Sequence, residues 1–215
     1  MTRFIALACA ALLCSACFGP GVNDKRERPA TFRLTAPAIE TVTGNGSNAT
    51  LGVARPRTAP ALDSAAIAVV RPGQSFDYYS GVRWIEPAPA MLQQLLVQTL
   101  ASSGAYAAVV SAPSRVNVEQ LLDVELRHFE VVADDELSAP RVYVQMQVTL
   151  VDARHGTRLA SALASAEKTA AANRRSDVID AFEQATSAAL LDVVARVRES
   201  APAASAETAS PAAAR

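Results

Sequence analysis

The residue with the most specific chemistry in this sequence is Cys17, because its neighbours place it at the cut of an export signal. A positive charge at Arg3 is followed by the uncharged apolar run Phe4–Leu13. This run is about half as long as a helix needs to span a bilayer. The small residues Ser15 and Ala16 come directly before the cysteine, as a signal peptidase requires. The pattern predicts cleavage before Cys17 and attachment of lipid to its thiol. The alternative is an ordinary cleaved signal with a chance cysteine.

The other two cysteines, Cys9 and Cys14, lie inside the segment that cleavage would remove. Cys14 stands where a bacterial lipobox usually has leucine. The mature chain would keep one sulfur, and that sulfur would carry lipid. No intrachain disulfide could then form, even in an oxidising compartment. The folded domain must therefore be stabilised by its core alone.

No other group of residues predicts catalysis, a metal site or a cofactor. His128 and His155 have no cysteine or carboxylate at a metal-ligand spacing, so each has a structural or surface role. Residues 44–46 begin like a phosphate loop, but no apolar strand precedes them and no helix pattern follows. The acidic run 134–136 is typical of a solvated hairpin tip. A formal net charge of −1 does not suit nucleic-acid binding, which requires a basic face. We predict that the protein is not an enzyme.

The densest group of informative side chains lies between residues 77 and 87, which include the one tryptophan of the chain. Amphipathic aromatic residues are common at protein interfaces, so this cluster could bind a partner. The structural alternative is that Trp84 fills the core under the following helix while Arg83 pairs with a carboxylate. The candidate residues for partner binding or structure are Tyr78, Tyr79, Arg83, Trp84 and Glu86.

The composition along the chain divides it into four parts. Residues 1–16 form the predicted signal peptide, and residues 17–30 a charged tether that begins at the lipidated cysteine. Residues 31–199 form one α+β domain. Residues 200–215 consist mainly of Ala, Pro, Ser, Glu and Thr and are predicted to be a disordered tail, because they cannot bury enough apolar surface. The turn residues of the segment 43–50 predict a loop inside the domain.

Alternating apolar and polar residues predict several half-buried strands in the domain. The clearest covers residues 142–150, and another begins at Leu122. In the latter the apolar series changes parity at Phe129, which predicts a bulge near His128. Residues 159–169 are rich in alanine, but their alternation and their position after a turn favour a strand. Shorter apolar runs predict strands at 67–70 and 51–54.

Two amphipathic helices complete the predicted fold. The first covers residues 88–103, with one apolar stripe, prolines at its entry and Gly104 as its stop. The second begins at Ser176 or Asp177, either of which can cap it. The order strands, helix, strands, helix predicts an α+β fold in which both helices pack on one face of an antiparallel sheet.

The order of residues in the first half of the domain resembles the ABC-type transport auxiliary lipoprotein family. The resemblance rests on Leu62-Asp63-Ser64 before the strand at 67–70, on Tyr78-Tyr79, on the segment 82–87 and on the helix that ends before Gly104. Phe32-Arg33-Leu34 matches the family's opening short strand, with phenylalanine in place of tyrosine. The loop at 43–50 and the alanine-rich tail are not part of the family's pattern.

This resemblance implies a non-enzymatic role beside an ABC transporter and a mammalian-cell-entry (MCE) protein, which together move lipids or other hydrophobic compounds between two membranes. The lipoprotein would dock the MCE assembly at the outer membrane, and copies of it could form a homo-oligomeric ring. Phe18 follows Cys17, and the absence of aspartate there favours the outer membrane under the enterobacterial sorting rule. Two other hypotheses remain: a stand-alone envelope lipoprotein that assists another outer-membrane complex, and an envelope hydrolase.

Overall fold

Nine strands and two long helices make up the described part of the chain, which comprises residues 28–40, 46–134 and 138–207 of a computed structural model. Cys17, the predicted signal peptide and most of the predicted tether lie outside these residues. The elements in chain order are β1 (Ala30–Phe32), β2 (Ser47–Ala54), β3 (Arg57–Thr58), β4 (Ala66–Arg71), β5 (Ser75–Trp84), α1 (Ala88–Ser102), β6 (Tyr106–Ala112), β7 (Gln120–Val132), β8 (Arg141–Asp152), β9 (Arg158–Thr169) and α2 (Arg175–Glu207).

The 13-residue strand β7 organises the sheet. Along one edge it pairs antiparallel with β8, which pairs antiparallel with β9. Three shorter strands share its other edge, and β2, β3 and β4 each run parallel to a successive part of β7. Beyond them, β6 pairs parallel with β2, β5 pairs antiparallel with β4, and β1 pairs parallel with β5.

The sheet is therefore mixed, and the prediction of a purely antiparallel sheet is wrong in that respect. Alternation along a strand reports which residues face the core, but it does not report the direction of the neighbouring strand. The segment from β5 through α1 to β6 crosses over the sheet, which allows β6 to lie parallel to β2. The α+β class and the two helices are confirmed.

The predicted bulge in β7 is present. The register with β8 shifts between Leu126 and His128, so one residue of β7 has no partner there. Leu126 before the shift and Phe129 after it are both buried. The bulge therefore keeps the apolar series on the core side although its parity changes in the sequence.

Both helices bury one apolar face in the same core as the inward side chains of the sheet. Helix α1 ends at Ser102, followed by Gly104 with a φ of 69°, as its stop signal predicts. Helix α2 packs mainly against β9 and β8. The inward positions of β9 are alanines, which allow a helix to approach closely, and Ala164 is fully buried. Helix α2 continues to Glu207, beyond the predicted domain end at residue 199.

The predicted loop at 43–50 differs from the structure over its second half, because Ser47–Thr50 belongs to strand β2. Residues 41–45 lie outside the described residues. Gly46 is required by a close approach, since a Cβ at this position would collide with the carbonyl oxygen of Gly104. Gly46, one of the residues that predicted a loop, is therefore needed because two backbone segments meet there.

Three aromatic rings form the centre of the core. The ring of Trp84 from β5 lies 5.0 Å from that of Phe182 in α2 and 5.7 Å from that of Phe129 in β7. Phe129 and Phe182 are also 5.0 Å apart. All three side chains are at most 2% exposed. They join a strand from the middle of the sheet, a strand near its edge and the long helix.

We expect Trp84→Ala to lower the free energy of unfolding by about 3–5 kcal/mol, because it leaves a large cavity between Phe129 and Phe182. Chemical denaturation followed by circular dichroism measures this change. The neighbouring variant Ile85→Ala is the control, since Ile85 is 54% exposed and should lose about 0.5 kcal/mol or less. Equal losses in both variants would contradict the central place of Trp84.

A buried hydrogen bond joins β6 to β7, in which the hydroxyl of Tyr106 donates to Oε1 of Gln120 at 2.7 Å. Burial raises the pKa of Tyr106 to about 12, so this hydroxyl stays protonated at neutral pH. We expect Tyr106→Phe to lower the free energy of unfolding by about 1–3 kcal/mol, because it leaves the amide of Gln120 buried without that donor. An unchanged denaturation midpoint would show that the bond contributes nothing.

Candidate docking site

A break in the pairing of β5 shapes the region that contains the predicted aromatic cluster. Ala68 of β4 lies opposite Tyr78, whereas Ala66 lies opposite Arg83, so residues 79–82 bulge out of the ladder. Gly81 adopts a φ of 74° within the bulge, a conformation that favours glycine. Bulges of this kind redirect side chains that a regular strand would place elsewhere.

The bulge brings β5 against the segment that precedes α2. The hydroxyl of Tyr79 donates to Oδ1 of Asn173 at 3.0 Å. The guanidinium of Arg175 lies on Gly81, and a Cβ at Gly81 would come within 2.7 Å of its Nη2 atom. Burial raises the pKa of Tyr79, although the charge of Arg175 acts in the opposite direction. The Tyr79 hydroxyl is therefore a neutral donor that holds the two segments together.

A cleft of about 880 Å³ lies between this bulge, the β4–β5 hairpin and the start of α2. Three arginines line it, namely Arg71, Arg174 and Arg175, with Asp77 as the lining carboxylate. Arg71 is 4.0 Å from Asp77. Arg174 pairs with Asp177 at 3.0 Å, whereas Arg175 has no ion-pair partner within the described ranges. The cleft is thus wide, polar and basic.

The same hairpin carries an exposed aromatic pair, of which Tyr78 also lines the cleft. Phe76 and Tyr78 are each 44% exposed and stack edge to face, with ring centroids 5.5 Å apart and an interplanar angle of 88°. The backbone at Gly73, in the turn, is so open that a Cβ there would meet nothing within 4 Å. We call the turn 72–74, the exposed aromatic pair and the basic cleft together the hairpin end of the domain.

The structure separates the five predicted site residues. Tyr78 and Tyr79 line the cleft, while Trp84 is fully buried in the aromatic core, where its stacking partner comes from α2. Glu86 accepts a hydrogen bond from Nε2 of Gln94 at 3.2 Å, near the start of α1. Arg83 is exposed, and no carboxylate of the described residues pairs with it, contrary to the expected ion pair.

Sequence reasoning missed the residues that form the other wall of the cleft. Asn173, Arg174 and Arg175 are nearly one hundred positions away from the aromatic cluster. Their polar and basic run directly before a helix was a visible signal. Nothing in the sequence indicated that it would lie opposite Tyr79.

A second accessible surface is the face of the sheet opposite the helices, which we call the open sheet face. The outward residues of β8 are half-buried and polar, and they form hydrogen bonds with one another and with β9. Gln145 donates to the hydroxyl of Tyr143 at 2.5 Å, and Gln147 donates to Oγ of Ser161 at 3.0 Å. Leu163 lies beside Gln147 on this face and is 44% exposed. The β8–β9 part of this face is therefore mostly polar, with one exposed apolar residue on the edge strand β9.

The two histidines do not assemble a reactive group with cysteine or with further carboxylates. His128 Nδ1 lies 2.6 Å from Oε1 of Glu130 on the same strand. In the turn after β8, backbone N–H groups of His155 and Arg154 lower the pKa of the Asp152 carboxyl, which also accepts from the His155 ring. Within residues 28–40, 46–134 and 138–207, no three His, Cys, Asp or Glu side chains could hold a metal ion. In the same ranges, no helix combines the length and the apolar character needed to cross a membrane.

Solved structures share this fold. A Xanthomonas campestris protein assigned to a domain family of unknown function is similar, with a TM-score of 0.70 and 22% identity over 84% of this chain and 100% of that chain. Another uncharacterised protein gives a TM-score of 0.61 with 14% identity, over 80% of this chain and 99% of its own. At these identities the likeness shows the fold alone. No curated protein matches the sequence.

The sequence itself matches a family model over residues 32–195, which include every strand after β1 and most of α2. The matched region is well over half of the chain and coincides with the folded domain. The family is described as an auxiliary lipoprotein component of ABC-type transport. The protein therefore belongs to the family of ABC-type transport auxiliary lipoprotein components.

Proposed function

We propose that this protein is a non-catalytic docking subunit of an ABC/MCE-type system that moves lipids or other hydrophobic compounds between the inner and outer membranes. Lipid on Cys17 anchors it to the periplasmic face of the outer membrane. The match of the family model to the folded domain carries the proposal.

The open sheet face is the surface that we assign to the MCE protein. Both helices pack into the core on the other side of the sheet, and most outward positions of the edge strand β9 are exposed. Its side chains already satisfy one another by hydrogen bonds, which keeps the free surface soluble. Interfaces of this kind combine polar residues with a few apolar contacts, and Leu163 on the edge strand β9 supplies one. The accessible tyrosines Tyr78 and Tyr79 belong to a separate contact surface at the hairpin end.

Affinity purification from crosslinked native cells tests the docking role. The tagged full-length protein should recover an MCE protein or components of its ABC transporter. Native mass spectrometry of the same sample reports whether several copies are present, as a homo-oligomeric ring requires. Recovery of neither component would contradict the proposal. Recovery of a secretion or pilus complex instead would favour an assembly role in another outer-membrane machine.

The variant Leu163→Arg tests the assignment of the face. We expect at least about tenfold less recovered partner, because burying an unpaired charge against the partner costs more than about 1.4 kcal/mol. Leu191→Arg is the matched control, since Leu191 is similarly exposed, at 40%, but lies on α2. Both substitutions should leave the melting temperature nearly unchanged. Equal recovery by the two variants would show that the MCE protein binds elsewhere.

The anchor is tested at the mature N-terminus. Mass spectrometry of the purified native protein should find residue 17 first, with three acyl chains, because one chain alone anchors only marginally. Cys17→Ala should release the protein from the membrane fraction or leave its signal uncut. A mature N-terminus with a free thiol at Cys17 would show ordinary signal cleavage.

A further inference from the structure

We propose that the hairpin end of the domain rests on the phospholipid headgroup layer of the membrane that holds the tether, with Phe76 and Tyr78 in the interfacial layer and the arginines of the cleft on lipid phosphates. This inference rests on the proposed lipid anchor at Cys17. It does not depend on which transport component binds the open sheet face. Three separate observations support it.

The first observation is the direction from which the chain enters the domain. Strand β1 runs parallel to β5, with Ala30 opposite Val82 and Phe32 opposite Trp84. A strand parallel to β5 begins toward the end where β5 begins, which is the hairpin end. Ala30 follows Cys17 by 13 residues, so the tether reaches at most about 45 Å. The chain therefore enters β1 from the direction of the hairpin end, and a tether of this length allows that end to reach the membrane that holds Cys17.

The second observation is the chemistry of the hairpin. Phe76 and Tyr78 project from a hairpin that extends beyond the core, and residues 75–78 are all exposed. Aromatic rings with a polar edge prefer the boundary between acyl chains and headgroups. The two rings already stack on each other, so little side-chain entropy is lost when they enter that layer. An exposed aromatic pair at the end where a lipid tether enters fits a membrane surface.

The third observation is the charge beside the rings. The cleft presents three arginines and one aspartate, and Arg175 has no ion-pair partner among the residues that the structure describes. Guanidinium groups bind phosphate oxygens in two-point hydrogen bonds. Basic side chains beside a membrane gain further from the negative surface potential of anionic lipids. The open sheet face differs in that the charge beside Gln147 is already paired, since Glu125 opposite Gln147 lies 3.3 Å from Arg127.

Vesicle binding of the mature chain 17–215 with Cys17→Ser tests the proposal without the covalent lipid. The chain should cosediment with vesicles that contain phosphatidylglycerol and bind less to vesicles of phosphatidylcholine alone, and added salt should weaken the binding. The double variant Phe76→Ser/Tyr78→Ser should bind roughly tenfold more weakly, since each ring contributes partly buried apolar area. Arg175→Gln should lower binding to the anionic vesicles and leave binding to phosphatidylcholine unchanged.

The matched controls are Val116→Ser and Leu163→Ser, because these apolar residues are 55% and 44% exposed on other surfaces. Both should bind vesicles as the parent does. Absence of vesicle binding by the parent, or equal losses in the controls, would overturn the proposal. Capture of transport components by the lipidated Phe76→Ser/Tyr78→Ser variant distinguishes the two proposals. If the parent protein binds vesicles but captures no transport component, only the docking role is contradicted. If it captures transport components but does not bind vesicles, only the membrane contact is contradicted.

Discussion

The packing of Trp84 against Phe129 and Phe182 is the contact on which the rest of the structure depends. It joins the end of β5, the bulged centre of β7 and the first turns of α2 in one buried cluster. The described residues contain no cysteine, so the fold is stabilised by burial and hydrogen bonding. Between Tyr78 and Arg83, which both pair with β4, residues 79–82 leave the regular ladder as a bulge. That bulge is what brings Tyr79 and Gly81 to the start of α2.

Much of the fold follows from local patterns in the sequence. The alternation of Val142, Val144 and Met146 predicts β8, and the parity change at Phe129 predicts the bulge, because both report which side chains face the core. The parallel pairing of β2, β3 and β4 with β7 could not be predicted in this way. Neighbours in a sheet are chosen by long-range packing, and three short strands along one long strand leave no local signal.

The candidate sites, like the fold, could be predicted from the sequence only in part. The aromatic cluster was visible in the sequence, yet its composition suits an interface and a core equally well. Burial separates the two roles, since Trp84 is inside and Tyr78 is 44% exposed. The basic wall of the cleft comes from a distant segment, so only the fold shows that Arg175 lies against Gly81. The open sheet face likewise becomes apparent only when both helices are seen on the other side.

Two accessible surfaces of the domain differ in chemistry: the basic and aromatic hairpin end, and the mostly polar open sheet face with Leu163 on its edge strand. We propose that the open sheet face holds a component of the transport system at the membrane. Site-specific photocrosslinking in living cells tests it most directly, with the photoreactive side chain at Ser165, which is exposed beside Gln145 on that face. We expect a covalent adduct with the MCE protein from this position and none from Leu191 on α2. An adduct from Leu191 alone would contradict it.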